Sequence, residues 1–319
     1  MILHPKGMPD ILPRDQNWWL KIGQVTSEVA SIYDFSFIET PIVEHSSLFE
    51  ASLGASSDVV EKQMFVLKTK GGDNLALRPE GTAGVVRAYL ENRLGYYAQP
   101  LKVYYAGPMF RYEQPQAGRF RQFHQVGFEV LGDSDPFYDL QILLSVSRFF
   151  NLLKIKDFII RINTIGCRVC RPTYRRKLQD YYSKIKGEIC PDCERRLELN
   201  PLRILDCKNK KCIELKAGAP TILDYLCHSC NSHFRKVLEL VENNNIIYES
   251  DPYLVRGLDY YSRTVFEFFG RESGAALASG GRYDYLSEIL GWYPLAGVGA
   301  AIGVERVSGV LRAGKMELD

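Results

Sequence analysis

Apolar positions follow two rhythms along this chain. Trp18, Ile22, Val25, Val29 and Ile32 recur at alternating spacings of four and three, which places them on one face of a helix. Asp15 stands just ahead of them as the expected N-cap. Residues 35–44 then change to β-branched and aromatic character and read as a strand. Pro41 inside that run cannot donate to a ladder, so the strand is expected at an edge or a subunit contact. Residues 65–68 and 74–78 straddle Gly71-Gly72 as a hairpin. Residues 101–110 and 123–131 form a second hairpin with a long polar tip.

Helical patterns cover residues 82–94 and 135–153, and residues 158–163 read as a strand. Further on, residues 246–253, 260–269 and 275–279 read as strands, with Ser279-Gly280-Gly281 as a turn. Residues 296–310 begin as a Gly/Ala strand and end as a helix. Consecutive antiparallel strands with accompanying helices predict an α+β fold, a mostly antiparallel sheet flanked by helices, and not a doubly wound one.

Composition adds boundaries. The chain has 319 residues, 46 % hydrophobic and 24 % charged, as in ordinary globular proteins and unlike disordered or collagenous ones. No apolar run approaches the ~20 residues of a membrane span, and the N-terminal residues lack a signal-peptide pattern, so a cytoplasmic protein is expected. The net charge of +2 conceals an asymmetry: residues 161–236 hold 17 Lys and Arg against 8 Asp and Glu. All eight cysteines fall in the same stretch. That coincidence marks an inserted, basic module. The division expected is 1–164 and 246–319 for two parts of one core, with 165–245 as the insertion.

Two apparent nucleotide motifs do not hold. Gly297-Val-Gly-Ala-Ala-Ile-Gly303 is one residue too long for a dinucleotide fingerprint and reads as close backbone packing at a strand-to-helix junction. No phosphate-binding G-x-x-x-x-G-K-[ST] run occurs.

The informative chemistry lies at the second hairpin. Arg111 ends one strand, Arg119 and Arg121 occupy the tip, and Phe123, Gln125, Gly127 and Glu129 alternate along the returning strand and so share a face. An aromatic platform, an amide and a carboxylate beside arginines suit a nucleotide better than a solvated surface does. Arg78-Pro-Glu-Gly-Thr-Ala-Gly84 adds Glu80, Gly81 and Thr82 at a helix start, where a capping turn is the plainer reading. Arg256-Gly-Leu-Asp-Tyr-Tyr261 and Arg263 add arginines and paired tyrosines, with simple pairing to acids as the plainer reading.

These segments resemble the class II aminoacyl-tRNA synthetases, and within them the histidyl-tRNA synthetase family. Lys6-Gly-Met-Pro-Asp-Ile-Leu-Pro13 is similar to that family's start. Residues 35–44 resemble motif 1, Phe110-Arg-Tyr-Glu with residues 119–129 motif 2, and residues 299–306 motif 3. Arg256-Gly-Leu-Asp-Tyr-Tyr261 and Gly280-Gly-Arg-Tyr-Asp284 look like two histidine-specific signatures.

The resemblance implies a histidine–tRNA ligase that uses ATP with Mg2+, forms histidyl-adenylate and transfers the histidyl group to tRNA(His), acting as a homodimer away from membranes. It implies Arg111 and Arg256 on either side of the α-phosphate, Arg119 on the outer phosphates, and Phe123 and Arg306 sandwiching the adenine. For histidine it implies Glu80, Gly81, Thr82 and Gln125, with Arg111 and Arg256, at the amino and carboxylate groups. Glu129 and Tyr261 then meet the imidazole, with Tyr260 lining the pocket. The family's separate anticodon-binding domain does not follow motif 3 within these residues, which leaves a second expectation: a histidine-binding regulatory subunit of ATP phosphoribosyltransferase, sharing the fold without the reaction.

The cysteines form four close pairs: Cys167/Cys170, Cys190/Cys193, Cys207/Cys212 and Cys227/Cys230. In a cytosolic chain such pairs favour metal over disulfide, with zinc expected. The first two pairs, 19 residues apart, suit one four-cysteine site and the last two a second, while an interleaved pairing is equally open. His228 and His233 stand as substitute ligands or bystanders.

Overall fold

The computed structural model describes residues 2–54, 57–115, 118–271 and 274–314. Strands in chain order are β1 Ser36–Phe37, β2 Val43–His45, β3 Val66–Lys68, β4 Asn74–Leu77, β5 Leu101–Phe110, β6 Gln122–Leu131, β7 Phe158–Thr164, β8 Tyr248–Ser250, β9 Ser262–Gly270, β10 Ala276–Arg282 and β11 Gly297–Gly303. Eight of them form one sheet in the order β1-β5-β6-β11-β10-β9-β7-β8, and β2-β4-β3 form a small second sheet. All neighbours in the large sheet are antiparallel except the outer pairs β1/β5 and β7/β8. This is the mixed α+β architecture expected, with the sheet mostly antiparallel.

Helices α1 Gln16–Tyr33, α2 Ser46–Leu53, α3 Thr82–Glu91, α4 Pro136–Leu152, α5 Arg171–Lys184, α6 Pro191–Leu199, α7 Lys210–Lys216, α8 His228–Asn243, α9 Leu286–Ile289 and α10 Val304–Ala313 complete the fold. One face of the sheet is closed by α1, α4, α8 and α10, whose Val25, Val29, Val146, Val237 and Val307 pack on Val126, Phe128, Phe266, Val298 and Ile302. The other face holds Tyr105, Leu131, Val265 and Tyr283 against α2, α3 and α9. Period-two alternation sorts residues between the faces. On β11 it sends Val298, Ala300 and Ile302 into the first core and leaves Gly297, Gly299, Ala301 and Gly303 facing the other way. The run is therefore a floor of three glycines and one methyl, that of Ala301, set beside Glu129, Gly127 and Gln125 of β6.

Several expectations change. Residues 35–44 are not one strand: β1 pairs in parallel with β5 as an edge, the chain leaves the sheet before Pro41, and β2 joins the small sheet. A proline without an N–H favours that break. Asp15 makes no cap hydrogen bond and instead pairs with Arg312 of α10 at 3.0 Å. Ile32 is exposed, while Val29, Ala30 and Tyr33 of the same turn meet the core. Ser279, Gly280 and Gly281 lie inside β10 and not in a turn, paired with Ala301, Ala300 and Gly299.

The inserted region has its own core, from Tyr174 and Leu178 to Ile204 and Ile222. By contrast, Phe234, Val237 and Val241 of α8 pack with the main core.

Candidate active site

The glycine floor carries a buried carboxylate. Glu129, 1 % exposed, accepts hydrogen bonds from Thr82 Oγ1 at 2.7 Å and from the Tyr283 hydroxyl at 2.6 Å. Burial pushes its carboxyl up to about 8, against those two donors, which favour the charged form. A Cβ at position 299 would sit 1.6 Å from Glu129 Oε2, so only glycine leaves that oxygen its place.

Glu80 lies next to it and closes the α3 N-terminus, accepting from the Thr82 and Ala83 N–H groups at 2.7 and 2.8 Å. The capping role is thus real, and it is compatible with a second one. Burial raises Glu80's carboxyl, while the two backbone donors and Arg111 oppose the shift. The Tyr260 hydroxyl donates to Glu80 Oε2 at 3.4 Å, and the Tyr260 ring lies 4.5 Å from that of Tyr261. Gly81 admits the Tyr105 ring, which would meet any Cβ there at 2.3 Å. Gln125, four residues before Glu129 on β6, keeps its buried Oε1 without a hydrogen-bond partner among the described residues. A buried acceptor left open in a polar cluster is a feature that a ligand donor relieves.

The arginines frame this cluster. Arg111 leaves β5, donates from Nε to the Pro79 carbonyl at 2.9 Å, and stands 5.4 Å over the Phe123 ring. Arg306, at the start of α10, donates to the Gly118 and Ala276 carbonyls at 3.3 and 2.5 Å. Burial lowers Arg306's affinity for its proton, and the nearby charges of Arg119 and Arg111 add to this. Glu113 and Glu305 offset part of that mutual repulsion. Arg119 pairs with Glu113 at 3.4 Å and is half exposed.

On the opposite flank Arg256 lies 5.5 Å over the Tyr261 ring. Its guanidinium is paired with Glu267 and donates to Ser279 Oγ at 2.6 Å, leaving a buried Nε open. Acid pairing holds for Arg263 as well, which meets Asp284 at 3.7 Å. Beyond Arg256 a cavity of about 640 Å³ runs to the insertion, lined by Arg168, Arg171, Arg175, Arg176 and Arg203. A larger one, about 990 Å³, opens beside α10 and borders Gly118 and Arg306.

The eight cysteines gather into two groups of four, each with sulfurs within 4.8 Å of one another. The grouping is nested: Cys167, Cys170, Cys227 and Cys230 form one, and Cys190, Cys193, Cys207 and Cys212 the other. Neither open expectation, the union of the first two pairs or an interleaved pairing, matches this grouping, since α5 carries the second pair away from the first. Neither histidine joins a group; His233 is buried against Asp139 at 3.5 Å.

The sequence and the fold have known counterparts. A family profile for histidyl-tRNA synthetase matches residues 7–167 and 211–307. The chain belongs to the histidyl-tRNA synthetase family. It is 46 % identical over 310 residues to the histidine–tRNA ligase of Pelotomaculum thermopropionicum, covering 97 % of this chain and 73 % of that one. With the ligase of Desulforamulus reducens the identity is 45 %, over 95 % and 73 % of the two chains. The solved apo histidyl-tRNA synthetase of S. aureus superposes with a TM-score of 0.81 at 34 % identity, over all of this chain and 76 % of that one. A structure from Bacillus halodurans C described as an ATP phosphoribosyltransferase regulatory subunit/histidyl-tRNA synthetase reaches 0.72 at 23 %, over 98 % and 83 % of the chains, and shares the fold alone. The relatives favour the synthetase over the regulatory subunit. The profile leaves out residues 168–210, which carry most of the insertion's own core.

Tyr283 was not among the expected ligand residues, although it lies in the Gly280-Gly-Arg-Tyr-Asp284 signature. Its hydroxyl reaches Glu129 only because β10 runs on through the glycines and turns at Arg282. Glu267 and Ser279, which hold Arg256, carry no signal in sequence.

Proposed function

We propose that this chain is an ATP-dependent histidine–tRNA ligase: it activates L-histidine to histidyl-adenylate and passes the histidyl group to tRNA(His). The observation that carries the reading is the buried Glu129, held by Thr82 and Tyr283 over a glycine floor and flanked by arginines. An imidazole is the side chain that offers an N–H to such an acceptor and a second nitrogen to a phenol. Tyr261 supplies that phenol, and Tyr260 supports it. An amino acid without those nitrogens would leave Glu129 with only its Thr82 and Tyr283 donors and bury its remaining acceptor capacity unfilled, which discriminates against it.

Glu80, Gly81, Thr82 and Gln125 then receive the α-amino group, and Arg111 and Arg256 orient the carboxylate toward the α-phosphate. Attack there breaks the bond to pyrophosphate as the acyl–phosphate bond forms, and cationic groups lower the barrier by meeting the charge as it spreads. Arg256 takes up this task by exchanging its Glu267 pairing for the nucleotide. Phe123 and Arg306 stack on the adenine, and Arg119 leaves Glu113 for the outer phosphates, which Mg2+ accompanies.

The arginine-lined cavity beyond Arg256 supports an approach for the RNA 3′ end along its phosphates. Exposed Phe37 on β1, with Ile42 and with Val43, Val66 and Leu67 on the small sheet, supports a homodimer contact through this part of the chain. No helix among the described residues is long and apolar enough to cross a membrane, and a cytoplasmic setting suits the substrates. In the cysteine-rich insertion (residues 165–245 of the proposed three-part division), zinc is the metal that the thiolate groups fit.

Histidine-dependent exchange of pyrophosphate into ATP tests the reading. Exchange that requires L-histidine is expected, and its absence, with histidine still bound, returns the chain to the regulatory-subunit class.

A further inference from the structure

The two cysteine groups occupy different places. Cys190, Cys193, Cys207 and Cys212 lie within the insertion, where Cys193 and Cys212 belong to its core. Cys167, Cys170, Cys227 and Cys230 lie at its neck. Cys167 and Cys170 follow β7 and lead into α5; Cys227 and Cys230 open α8, which returns to the main core.

The sulfur geometry is that of a tetrahedral thiolate site. Zinc–sulfur bonds of about 2.3 Å place the sulfurs of a tetrahedron about 3.8 Å apart. Cys167 lies 3.6 Å from Cys170 and 3.8 Å from Cys227, and Cys190 lies 3.7 Å from Cys207. A disulfide needs about 2.05 Å. Backbone N–H groups already point at the sulfurs, as thiolates require: Val169 to Cys167 at 3.3 Å, Cys227 to Cys170 at 3.0 Å, Cys190 to Cys212 at 3.3 Å and Asn209 to Cys207 at 3.4 Å. Gly166, with φ +65°, permits the turn, since a Cβ there would meet Cys170 at 2.9 Å.

Arg171 connects the neck to the histidine segment. It donates from Nε to the Ile165 carbonyl at 3.1 Å and from Nη2 to the carbonyl of Tyr261. Cys167 and Cys230 lie within electrostatic reach of the same guanidinium.

We infer that both groups are four-thiolate zinc sites, and that the neck site is a staple which positions Arg171 and, through it, Tyr261 in the histidine pocket. Each site binds one Zn2+ as four thiol protons pass to solvent, leaving a doubly negative centre that the basic module compensates. Arg171 is a positioning residue: it acts through the Tyr261 carbonyl. The second half of the inference rests on the histidine-activating reading above; the metal sites do not.

The test uses the full chain, purified with zinc and without chelators, with metal counted by mass spectrometry and histidine read both as KM in exchange and as Kd by calorimetry. Two zinc ions per chain are expected. Cys227→Ala with Cys230→Ala should lose one zinc and raise histidine KM and Kd about tenfold while ATP KM stays near its starting value. Cys227→His should keep both ions and normal histidine affinity, since imidazole replaces a thiolate in such sites. Arg171→Met should keep both ions and show the same histidine defect, which separates positioning from collapse of the neck. Wild-type chain without zinc overturns the metal sites. Unaltered histidine affinity in Arg171→Met, or in the neck variant after loss of its ion, overturns the coupling. Zinc and histidine binding without exchange overturns the synthetase reading and leaves the inference standing.

Discussion

The Tyr283 hydroxyl donates to Glu129 Oε2 at 2.6 Å, and so joins two segments 154 positions apart into one buried acceptor. Both groups are shielded from water, and Glu129's other oxygen is taken by Thr82. Loss of the phenol leaves one carboxylate oxygen without a donor, a cost of about 1–3 kcal/mol. Tyr283→Phe should therefore raise histidine KM about tenfold in the exchange assay, with ATP KM little changed. Equal shifts in both constants would contradict the placement of Glu129 at the imidazole.

Glu129 also sets a pH dependence. Its carboxyl is raised from 4.5 to about 8 in the folded chain, chiefly by burial. Between those values the folded state holds a proton that the unfolded state has released. Its contribution to stability is whole below pH 4.5 and is lost as the pH rises through about 8. Glu129→Gln, which cannot ionise, should gain on wild type as the pH rises across that window, by an amount on the order of a few kcal/mol at most. Urea midpoints of both proteins from pH 5 to 9 measure it (the range brackets about 8). A constant gap would mean that Glu129 titrates as an ordinary carboxylate.

Gly299→Ala tests the floor. The new methyl would overlap Glu129 Oε2 and the Phe128 carbonyl, at 1.6 and 2.8 Å. Glu129 must then leave its place or β11 must shift. Histidine affinity should fall at least about a hundredfold, and stability by about 1–3 kcal/mol, as overpacking costs. Calorimetry and thermal melting read the two effects separately; near wild-type affinity would show the floor to be wider than described.

A buried ion pair fixes the same corner from below. Arg282 and Asp139 have fully buried side chains and meet at 2.5 Å, and Arg282 also reaches Asp284 at 3.1 Å. Burial would raise Asp139's carboxyl, but Arg282 and then His233 hold it below its ordinary value. Asp139→Asn leaves the guanidinium paired with Asp284 and bonded to the Asp133 carbonyl but without its shortest carboxylate contact, and should cost about 1–3 kcal/mol. Tyr283 follows Arg282 directly, so histidine KM should rise with it. Loss of stability with no change in KM would limit the pair to the scaffold.

Much of the site was legible from local pattern. Alternation alone placed Phe123, Gln125 and Glu129 on one face, and both hairpins formed where glycines and turn residues punctuate the chain. Arg111 and Arg119 were legible by type, because a guanidinium amid aromatics and glycine has few structural uses. What was not legible has a common cause. Residues 35–44 looked continuous because strand propensity is blind to which sheet a segment joins. Ser279-Gly280-Gly281 looked like a turn because glycine has two uses, and close strand packing won over conformational freedom.

Sequence by itself determined the family, the period of the long helices and hairpins and the types of group gathered around Glu129, since these are encoded in residues close together along the chain. Tertiary structure decided which groups share an environment. It raised Glu129 by burying it, gave it Tyr283, occupied Arg256 with Glu267, and sorted eight equivalent cysteines into a neck and a distal group. Each of these depends on distances between segments far apart in the chain, and such distances exist only once the sheet has assembled.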